Sequence, residues 1–433
     1  MKMKMKSPAA ASLALVLCCS MNANAQSTEG KVRANGLGLI SADGENSINL
    51  TGRLHFDNRM INSQFASGAN TDKDTSRYGD TLDIRRARIG INGTLMRDIS
   101  YEVVFNAASS DSTNLDTGWV NYAFAKPLNL RVGKFKQQFN LEELTSSNNI
   151  DFIERSFVNQ FAPGKKVGMM VHGVLTDGLS YGISSFQDAT AVISASGARQ
   201  STVRVAANFA ELAGMPGRVF HLGVARHSGT VDIASGATGE VIKLRTDARG
   251  ADGIFASTFA SGDTNNVNQV KRSSDGLEMA IALGALKLQT ETAKSNFDFA
   301  NTARTNVVDG TIKSQYMAVV YNLTGEKWSD AYKDGVFGAV RPTSNFSSKG
   351  KGTGGWQLSY RTSSYDATDW TSTTATTGSK KGKTDTLGIN WLLNPNARIM
   401  LNHSTTKFDT PFALGASTGN KEVVTTLRTQ VNF

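Results

Sequence analysis

Hydrophobic and polar residues alternate along most of this chain in short runs. In the run Thr425 to Phe433 (TTLRTQVNF), Leu427 and Phe433 share one face, and Arg428 lies on the other. A period of two residues predicts a β-strand with one apolar and one polar face. Helical periodicity is nearly absent, and 41 glycines but only seven prolines accompany the polar clusters between runs. The pattern predicts an all-β protein with many antiparallel strands.

About sixteen to eighteen such runs are predicted, which is the count of a large barrel. They are Asn49 to Asp57, Thr81 to Leu95, Ser100 to Ala107, Gly118 to Phe124, Leu128 to Phe135, Val167 to Leu175, Leu179 to Phe186, Thr202 to Phe209, Val219 to Ala225, Val241 to Thr246, Gly276 to Thr290, Ser314 to Asn322, Val336 to Val340, Trp356 to Ser363, Lys383 to Leu392, Arg398 to Thr405 and Glu422 to Phe433. No segment has the ~20 consecutive apolar residues of a transmembrane helix. Any membrane span is therefore β, and we predict a transmembrane antiparallel β-barrel of about sixteen strands.

The polar face of several predicted strands carries arginine. In the strand from Ile84 to Thr94, alternation points Ile89 outward and Arg86 and Arg88 inward. It also points Arg85 outward, which requires that end of the strand to lie at the membrane rim. The same construction places further arginines inside: Arg204, Arg361, Arg398 and Arg428. Because any water-filled barrel needs polar lumen residues, each arginine taken singly is explained equally well by general lumen polarity or by anion binding.

The first 25 residues have the features of a secretory signal peptide. Three lysines precede the apolar stretch AAASLALVLCCSM, and Ala23-Asn24-Ala25 supplies a cleavage site. Residues 26–47 then form a short N-terminal segment, and residues 48–433 form the barrel domain. The mature chain contains no cysteine and has 43 basic against 37 acidic residues, a formal charge of +6. Export of the chain and the dispersion of its basic residues argue against nucleic acid as a partner.

Two sequence patterns match enzyme motifs but lack the required context. Gly178 to Gly182 fits GxSxG, yet a strand continues through Phe186 where a nucleophile elbow needs a helix. Gly350 to Gly355 fits GxGxxG but leads into a predicted strand, not a helix. The five histidines show no metal-ligand spacing. We expect neither an enzyme nor a cofactor.

Several blocks, in order, resemble the phosphate-selective porin O and P family. They are LDIRRARIGING (82–93), RVGKFKQQF (131–139), LEELTSSNNIDFIER (141–155), YNLTGEKWSDAY (321–332), GGWQLSYR (354–361) and LGINWLLNPNARIMLNH (387–403). The resemblance implies a homotrimeric, sixteen-stranded channel of the bacterial outer membrane, surrounded by outer-membrane lipid. It also implies a third extracellular loop that folds into the pore, and a passage for phosphate, polyphosphate or other small anions.

By this resemblance, Lys136 to Lys166 is the infolded constriction loop. It follows the strand that carries Arg131 and Lys134, and its own cations are Lys136, Arg155, Lys165 and Lys166. Four acids, Glu142, Glu143, Asp151 and Glu154, make the loop formally neutral. These charges either coordinate ions or pair with one another to fix the loop. The Thr-Ser-Ser motif at residues 145–147 has no adjacent lysine that could bind phosphate.

The expected function is that of a passive porin with an anion-preferring channel, admitting phosphate or polyphosphate. In this reading Arg86, Arg88, Arg131, Arg204, Arg361, Arg398 and Arg428 line the wall, and Lys134, Lys136, Arg155, Lys165 and Lys166 lie near the constriction. Arginine offers several donors to an oxyanion and lysine a compact charge. One alternative is a general or differently selective porin, which the neutral loop favours. Another is a secreted, soluble β-rich binding protein or hydrolase.

Overall fold

The computed structural model describes residues 29–33, 36–64, 80–108, 114–187, 198–232, 239–259, 269–300, 307–373, 375–414 and 417–433. The predicted signal peptide lies outside these residues. The strands are β1 (Glu29–Arg33), β2 (Gly36–Ile40), β3 (Ser47–Ser63), β4 (Thr81–Leu95), β5 (Ile99–Asn106), β6 (Asn114–Ala125), β7 (Leu128–Lys136), β8 (Lys165–Thr176), β9 (Leu179–Gln187), β10 (Arg199–Asn208), β11 (Arg218–Asp232), β12 (Gly239–Arg245), β13 (Asp252–Phe259), β14 (Gln269–Leu283), β15 (Leu286–Ala300), β16 (Val307–Asn322), β17 (Tyr332–Lys333), β18 (Val336–Phe337), β19 (Gly355–Asp366), β20 (Trp370–Ser372), β21 (Ala375–Gly378), β22 (Lys381–Asn394), β23 (Ala397–Leu414) and β24 (Ser417–Asn432). Helix is confined to single turns: α1 (Leu141–Leu144), α2 (Phe209–Leu212) and the 3₁₀ helices Phe157–Phe161 and Trp328–Ala331.

Sixteen of these strands form one closed antiparallel barrel, as predicted. They are β3 to β11, β14 to β16, β19 and β22 to β24, each paired with the next. The barrel closes where β24 pairs with β3, for example Arg428 opposite Asp57. Short β1 and β2 extend the sheet beside β3. Among the described residues, no helix has the length and apolarity needed to cross a membrane.

Alternation places apolar side chains outside and polar ones inside, as expected. Val203 and Val205 are exposed on the outer face while Arg204 between them is buried; Leu358 and Tyr360 are exposed while Arg361 is buried. Each barrel strand pairs with a neighbour on both sides, so closure of the barrel leaves no free edge between these strands. The outer surface is therefore compatible with hydrocarbon.

Three predicted strands are different in the structure. The run Gly276 to Thr290 is two strands, β14 and β15, joined at residues 284–285. The run Val241 to Thr246 belongs to a separate sheet formed by β12, β13 and β21, and Val336 to Val340 contributes only the two-residue β18. Alternation alone cannot distinguish a wall strand from a short hairpin strand, because both have the same period.

The two ends of the barrel differ in their connections. One end, which also holds the chain terminus Phe433, has tight turns at residues 96–98, 126–127, 177–178, 284–285 and 395–396. We call it the turn end, and the opposite end, with longer connections, the loop end. One connection at the turn end is long and spans residues 323–354. We call it the turn-end segment.

Three segments fold into the barrel and supply its core. The constriction loop spans residues 137–164, which is shorter than predicted because Lys136 ends β7 and Lys165 and Lys166 begin β8. It enters from the loop end, together with the loop-end hairpin made of β12 and β13. Phe157 and Phe161 of the loop pack with Phe255 and Phe259 of that hairpin. From the other side, Trp328 of the turn-end segment packs with a second cluster that includes Leu141 of the constriction loop. The lumen is therefore narrowed from both ends.

Candidate functional site

The constriction loop is fixed to the barrel wall at its first residues. Glu291 of β15 accepts hydrogen bonds from the backbone N–H groups of Leu141 and Glu142, at 2.9 and 2.8 Å. On the same strand, Lys287 lies 2.8 Å from the Asp151 carboxylate and stacks 3.8 Å above the Trp328 ring centroid. One lysine thus joins the wall, the constriction loop and the turn-end segment.

The far part of the loop is held by a buried charge network around Glu154. Its carboxylate lies 2.7 Å from Arg85, 3.1 Å from Arg428 and 3.3 Å from Arg249. Burial by itself would raise the pKa of Glu154, but Arg85, Arg249 and Arg428 together lower that pKa well below its usual range. Arg428 also binds both oxygens of Asp57, at 2.6 and 2.7 Å. Such paired charges hold the loop in one position because breaking a single pair leaves a buried charge uncompensated.

Arg85 faces the lumen, so its predicted outward position is wrong. The register between β3 and β4 shifts between His55 and Phe56, which leaves Arg85 as the extra residue of a β-bulge. The bulge interrupts the alternation, and Arg85 and Arg86 both turn inward. The pairing of β5 with β6 contains a second bulge. Its register shifts between Val104 and Phe105, which leaves Asp116 of β6 as the extra residue.

Arg361 and Arg398 also contact the loop. Arg361 is 2% exposed and donates to the Glu142 carboxylate at 3.1 Å and to the Glu154 carbonyl at 3.0 Å. Its second branch reaches Asp247, at the tip of the loop-end hairpin, at 3.4 Å. Burial raises the pKa of Asp247 to about 7, despite the neighbouring Arg361. Arg398 donates to the Ile150 carbonyl at 3.0 Å.

A cavity of about 580 Å³ lies between the constriction loop and the wall. Its lining includes seven basic residues, Arg53, Arg86, Arg88, Arg131, Lys136, Arg155 and Lys165, and three acidic residues, Glu102, Asp116 and Glu143. The formal charge of this lining is therefore +4. Strands β3 to β8 form the wall of the cavity. The constriction loop contributes Glu143 and Arg155, and the turn-end segment contributes Val336.

Some of the cavity's cations already have carboxylate partners. Arg88 lies 2.8 Å from Asp116, and Lys165 binds the other oxygen of the same carboxylate. Arg155 and Lys136 lie 3.6 and 3.8 Å from the Glu143 carboxylate. Burial works to raise the pKa of Glu143, but Arg155 and Lys136 lower it overall. Glu143 therefore carries a charge that offsets part of the positive lining.

Other cavity cations lack a carboxylate within ion-pair distance in the described part of the chain. Arg131 stacks over the Trp119 ring, 4.1 Å from its centroid. Arg53 donates to the Ser147 hydroxyl at 2.9 Å, and Arg86 contacts His55 Nδ1 at 3.4 Å. Glu102, an acidic residue of the same lining, also has no ion pair in the described part of the chain. These guanidinium groups retain donors that can face a passing anion.

Six of the twelve cations selected from sequence come together in this lining, and six lie elsewhere. Lys134 donates to the Leu115 carbonyl at 2.8 Å, and Lys166 stands opposite Phe135 in the strand register. Arg204 binds Glu278 at 2.6 Å and the Gly335 carbonyl at 2.9 Å. The remaining three are Arg361, Arg398 and Arg428, which bind the constriction loop as described above. The anion-binding role assigned to all twelve stays a prediction.

The sequence interpretation missed Arg53 and Glu102. The signal for Arg53 was present, because Leu54 and Phe56 face outward on β3 and place Arg53 and His55 on the lumen side. No local pattern marked residues 239–259 and 323–354 as segments that fold inward. Among the described residues, no group of three or more His, Cys, Asp and Glu is arranged to hold a metal ion.

Comparison with known proteins gives concordant results. The family model for phosphate-selective porin O and P matches residues 48–433. Porin O of Pseudomonas aeruginosa is 28% identical over 401 residues, which cover 86% of this chain and 86% of that protein. The in-vitro folded OmpT of Vibrio cholerae, an outer membrane protein in its trimer form, has a TM-score of 0.53 at 11% identity, covering 90% of this chain and 99% of that one. Outer-membrane expressed OmpT of the same organism gives 0.52 at 11% identity, with 90% and 98% covered. At this identity the structural likeness shows the barrel fold.

Proposed function

The chain belongs to the phosphate-selective porin O and P family, and on that premise we propose that its channel prefers anions and admits phosphate or polyphosphate. The family and the closed barrel are those of a passive porin in the bacterial outer membrane. In such barrels the short turns are periplasmic and the long loops extracellular. The loop end is therefore the extracellular mouth, and the constriction loop enters from outside.

The observation that carries this proposal is the excess of cations in one narrow cavity. Seven basic and three acidic residues line about 580 Å³. A low-dielectric wall focuses the field of such a set, which raises the local concentration of anions and lowers that of cations. Arg53, Arg86 and Arg131 keep donors free of carboxylates, so an oxyanion can exchange one set of hydrogen bonds for the next. Conduction requires binding of this weak, multi-site kind.

Three of the arginines outside the cavity have a different role in this proposal. Arg361, Arg398 and Arg428 fix the constriction loop against the wall and set the width of the passage. Most of their donors bind loop carbonyls, carboxylates or the Gln430 side chain, at 2.6 to 3.4 Å. Loss of these contacts would change the shape of the pore more than the affinity of the pore for ions.

A general or differently selective diffusion porin is the second candidate. It is favoured by the pairing of Arg88 and Lys165 with Asp116, and of Arg155 and Lys136 with Glu143. Cations neutralised in this way contribute less to the field at the centre of the passage. The barrel would then pass small solutes with little preference for charge.

The proposed assembly is a homotrimer within outer-membrane lipid. The resemblance to the family supports it, and a trimer form is named for OmpT of Vibrio cholerae. Sedimentation of the purified protein in mild detergent should give three chains per particle. A monomer at micromolar concentration would contradict this part of the proposal.

Competition between phosphate and chloride tests the function. We expect millimolar phosphate to reduce the single-channel chloride current of the purified protein in a planar bilayer. The matched control is 2-(N-morpholino)ethanesulfonate, a bulky anion, added at equal ionic strength, which should reduce the current less. Chloride current unaffected by phosphate would contradict an oxyanion site and favour the general porin.

A further inference from the structure

Three lysines form a row on the outer surface of the barrel near its extracellular end. They are Lys383 of β22, Lys407 of β23 and Lys421 of β24, and all three are exposed. The strand register places Lys383 opposite Lys407 and Lys407 opposite Lys421. Their Cα atoms are therefore about 5 Å apart from strand to strand. We call these residues the lysine row.

Like charges in directly opposed positions destabilise a sheet. Among the three, and within the described residues, only Lys383 has a carboxylate within ion-pair distance, Asp385 at 3.5 Å. Lys407 and Lys421 have no ion pair within the described part of the chain. The outer face thus has a concentration of positive charge at a place where the neighbouring strands provide few carboxylates to neutralise it. An external anion that spans two or three ammonium groups would relieve this repulsion.

The lysine row lies above the lipid-facing apolar residues of the same strands. Towards the periplasmic end, the outward positions are Leu387, Leu401 and Leu427, which are 60%, 40% and 40% exposed. The same face therefore changes from apolar to basic along each strand. Such a change is expected where the hydrocarbon ends and the headgroups begin.

The height of the row agrees with the thickness of an outer-membrane barrel. Twelve residues along β24 separate Lys421 from the terminal Phe433, which corresponds to about 30 Å of height at about 3.3 Å per residue and a tilt of about 40°. Eight residues along β22 separate Lys383 from Trp391, which corresponds to about 20 Å. The apolar band of such a barrel is about 25 Å tall. Flexible lysine side chains reach the headgroup level from either height.

A second pair of outward lysines has the same arrangement. Lys294 of β15 stands opposite Lys313 of β16, and both are exposed. Lys313 contacts Asp369 at 2.8 Å, whereas Lys294 has no ion pair in the described residues. On the flanking strands Asp275 stands opposite Lys294 and Asp366 stands opposite Lys313, so this pair is accompanied by acids. The lysine row is therefore the denser concentration of positive charge.

We propose that the lysine row binds the phosphate groups of a phosphorylated glycolipid in the outer leaflet of the outer membrane. Ammonium groups attract such headgroups, and each basic residue near an anionic lipid surface adds to the affinity. The adjacent leucines supply the apolar surface for the acyl chains of the same molecule. A second copy of this chain presenting the same row would meet it with like charge.

Binding of lipid A to the purified full-length porin in detergent tests the proposal. The probes are bisphosphorylated lipid A and the same lipid after enzymatic removal of its phosphates, with binding counted by native mass spectrometry. We expect the double substitution Lys407→Gln/Lys421→Gln to weaken binding of the phosphorylated lipid roughly twenty-five-fold, at about fivefold per lysine. The dephosphorylated lipid should bind the unsubstituted protein about as weakly.

Two control variants accompany this test. Lys349→Gln/Lys351→Gln removes the same charge from the exposed turn-end segment and should bind the phosphorylated lipid like the unsubstituted protein. Lys407→Arg/Lys421→Arg keeps the charge and should retain binding even if the glutamine variant folds poorly. Equal binding of the phosphorylated and dephosphorylated lipids, or an equal loss in the turn-end control, would overturn the proposal. Displacement of the lipid by 10 mM inorganic phosphate alone would also overturn it, because the row would then be a site for free phosphate.

Discussion

Replacing Arg131 by Gln removes one positive charge from the cavity without leaving an acid behind. Arg131 stacks on Trp119 and has no carboxylate within ion-pair distance in the described residues. The substitution therefore changes the field at the passage more cleanly than a change at Arg88, which would remove one of the two cations that bind Asp116. We expect the Arg131→Gln channel to conduct anions less selectively while keeping the fold of the barrel.

The size of the effect follows from the geometry of the cavity. A volume of about 580 Å³ places an ion at its centre about 7 Å from a charge on the wall. At that distance, with the dielectric constant of water, one unit charge is worth about 0.6 kcal/mol, close to RT. Removing it disfavours an anion and favours a cation by this amount each. The chloride-to-potassium permeability ratio should therefore fall about sevenfold, and more if the local dielectric constant is lower.

The assay is the reversal potential across a KCl gradient in a planar bilayer, at about 10 mM salt on the dilute side to limit screening. Glu102→Gln should change the ratio in the opposite direction by a similar factor, and the Arg131→Gln/Glu102→Gln double variant should restore it. Arg218→Gln, at an exposed position beyond the barrel lumen, serves as the matched control. An unchanged ratio in Arg131→Gln, or the same change in Arg218→Gln, would refute the electrostatic reasoning.

Four further substitutions have defined outcomes. Glu154→Gln leaves buried guanidinium groups without their shared carboxylate and should lower the free energy of unfolding by about 3–5 kcal/mol, measured by urea titration of the protein in detergent. Because the pKa of Asp247 is raised to about 7 in the folded protein, its stabilising contribution is complete below about pH 4 and is lost as pH rises to 7. Asp247→Asn should remove that slope, on the order of 1.4 kcal/mol per pH unit, and an unaltered pH profile of the unfolding free energy would contradict this assignment. Arg86→Gln and Arg88→Gln should each lower anion preference in bilayer recordings, and unchanged selectivity in both would count against their role.

The barrel was predictable because alternation is a property of each strand by itself. A wall strand must present apolar residues to lipid at every second position, so Val203 and Leu358 could be placed outside and Arg204 and Arg361 inside without knowledge of their partners. The same reasoning failed at Arg85, where a β-bulge interrupts the period. A bulge is set by the pairing with the neighbouring strand and has no signature within the residues that form it.

The site was less predictable because its contacts join distant parts of the chain. Sequence identified Arg428 as a lumen residue but not its partner Asp57, 371 residues away. Nor could it separate Arg131, which faces the cavity, from Arg398, which holds the constriction loop. That distinction depends on where the loop lies across the lumen. Its position is determined by buried ion pairs between segments that have no proximity in sequence.

The reversal potential of the unsubstituted protein tests the central claim most directly. With a tenfold KCl gradient across the bilayer, a lining charge of +4 predicts a potential displaced towards the chloride equilibrium value. Addition of millimolar phosphate should then reduce the chloride current. A reversal potential at zero, or displaced towards the potassium value, would contradict an anion-preferring channel while leaving the barrel intact.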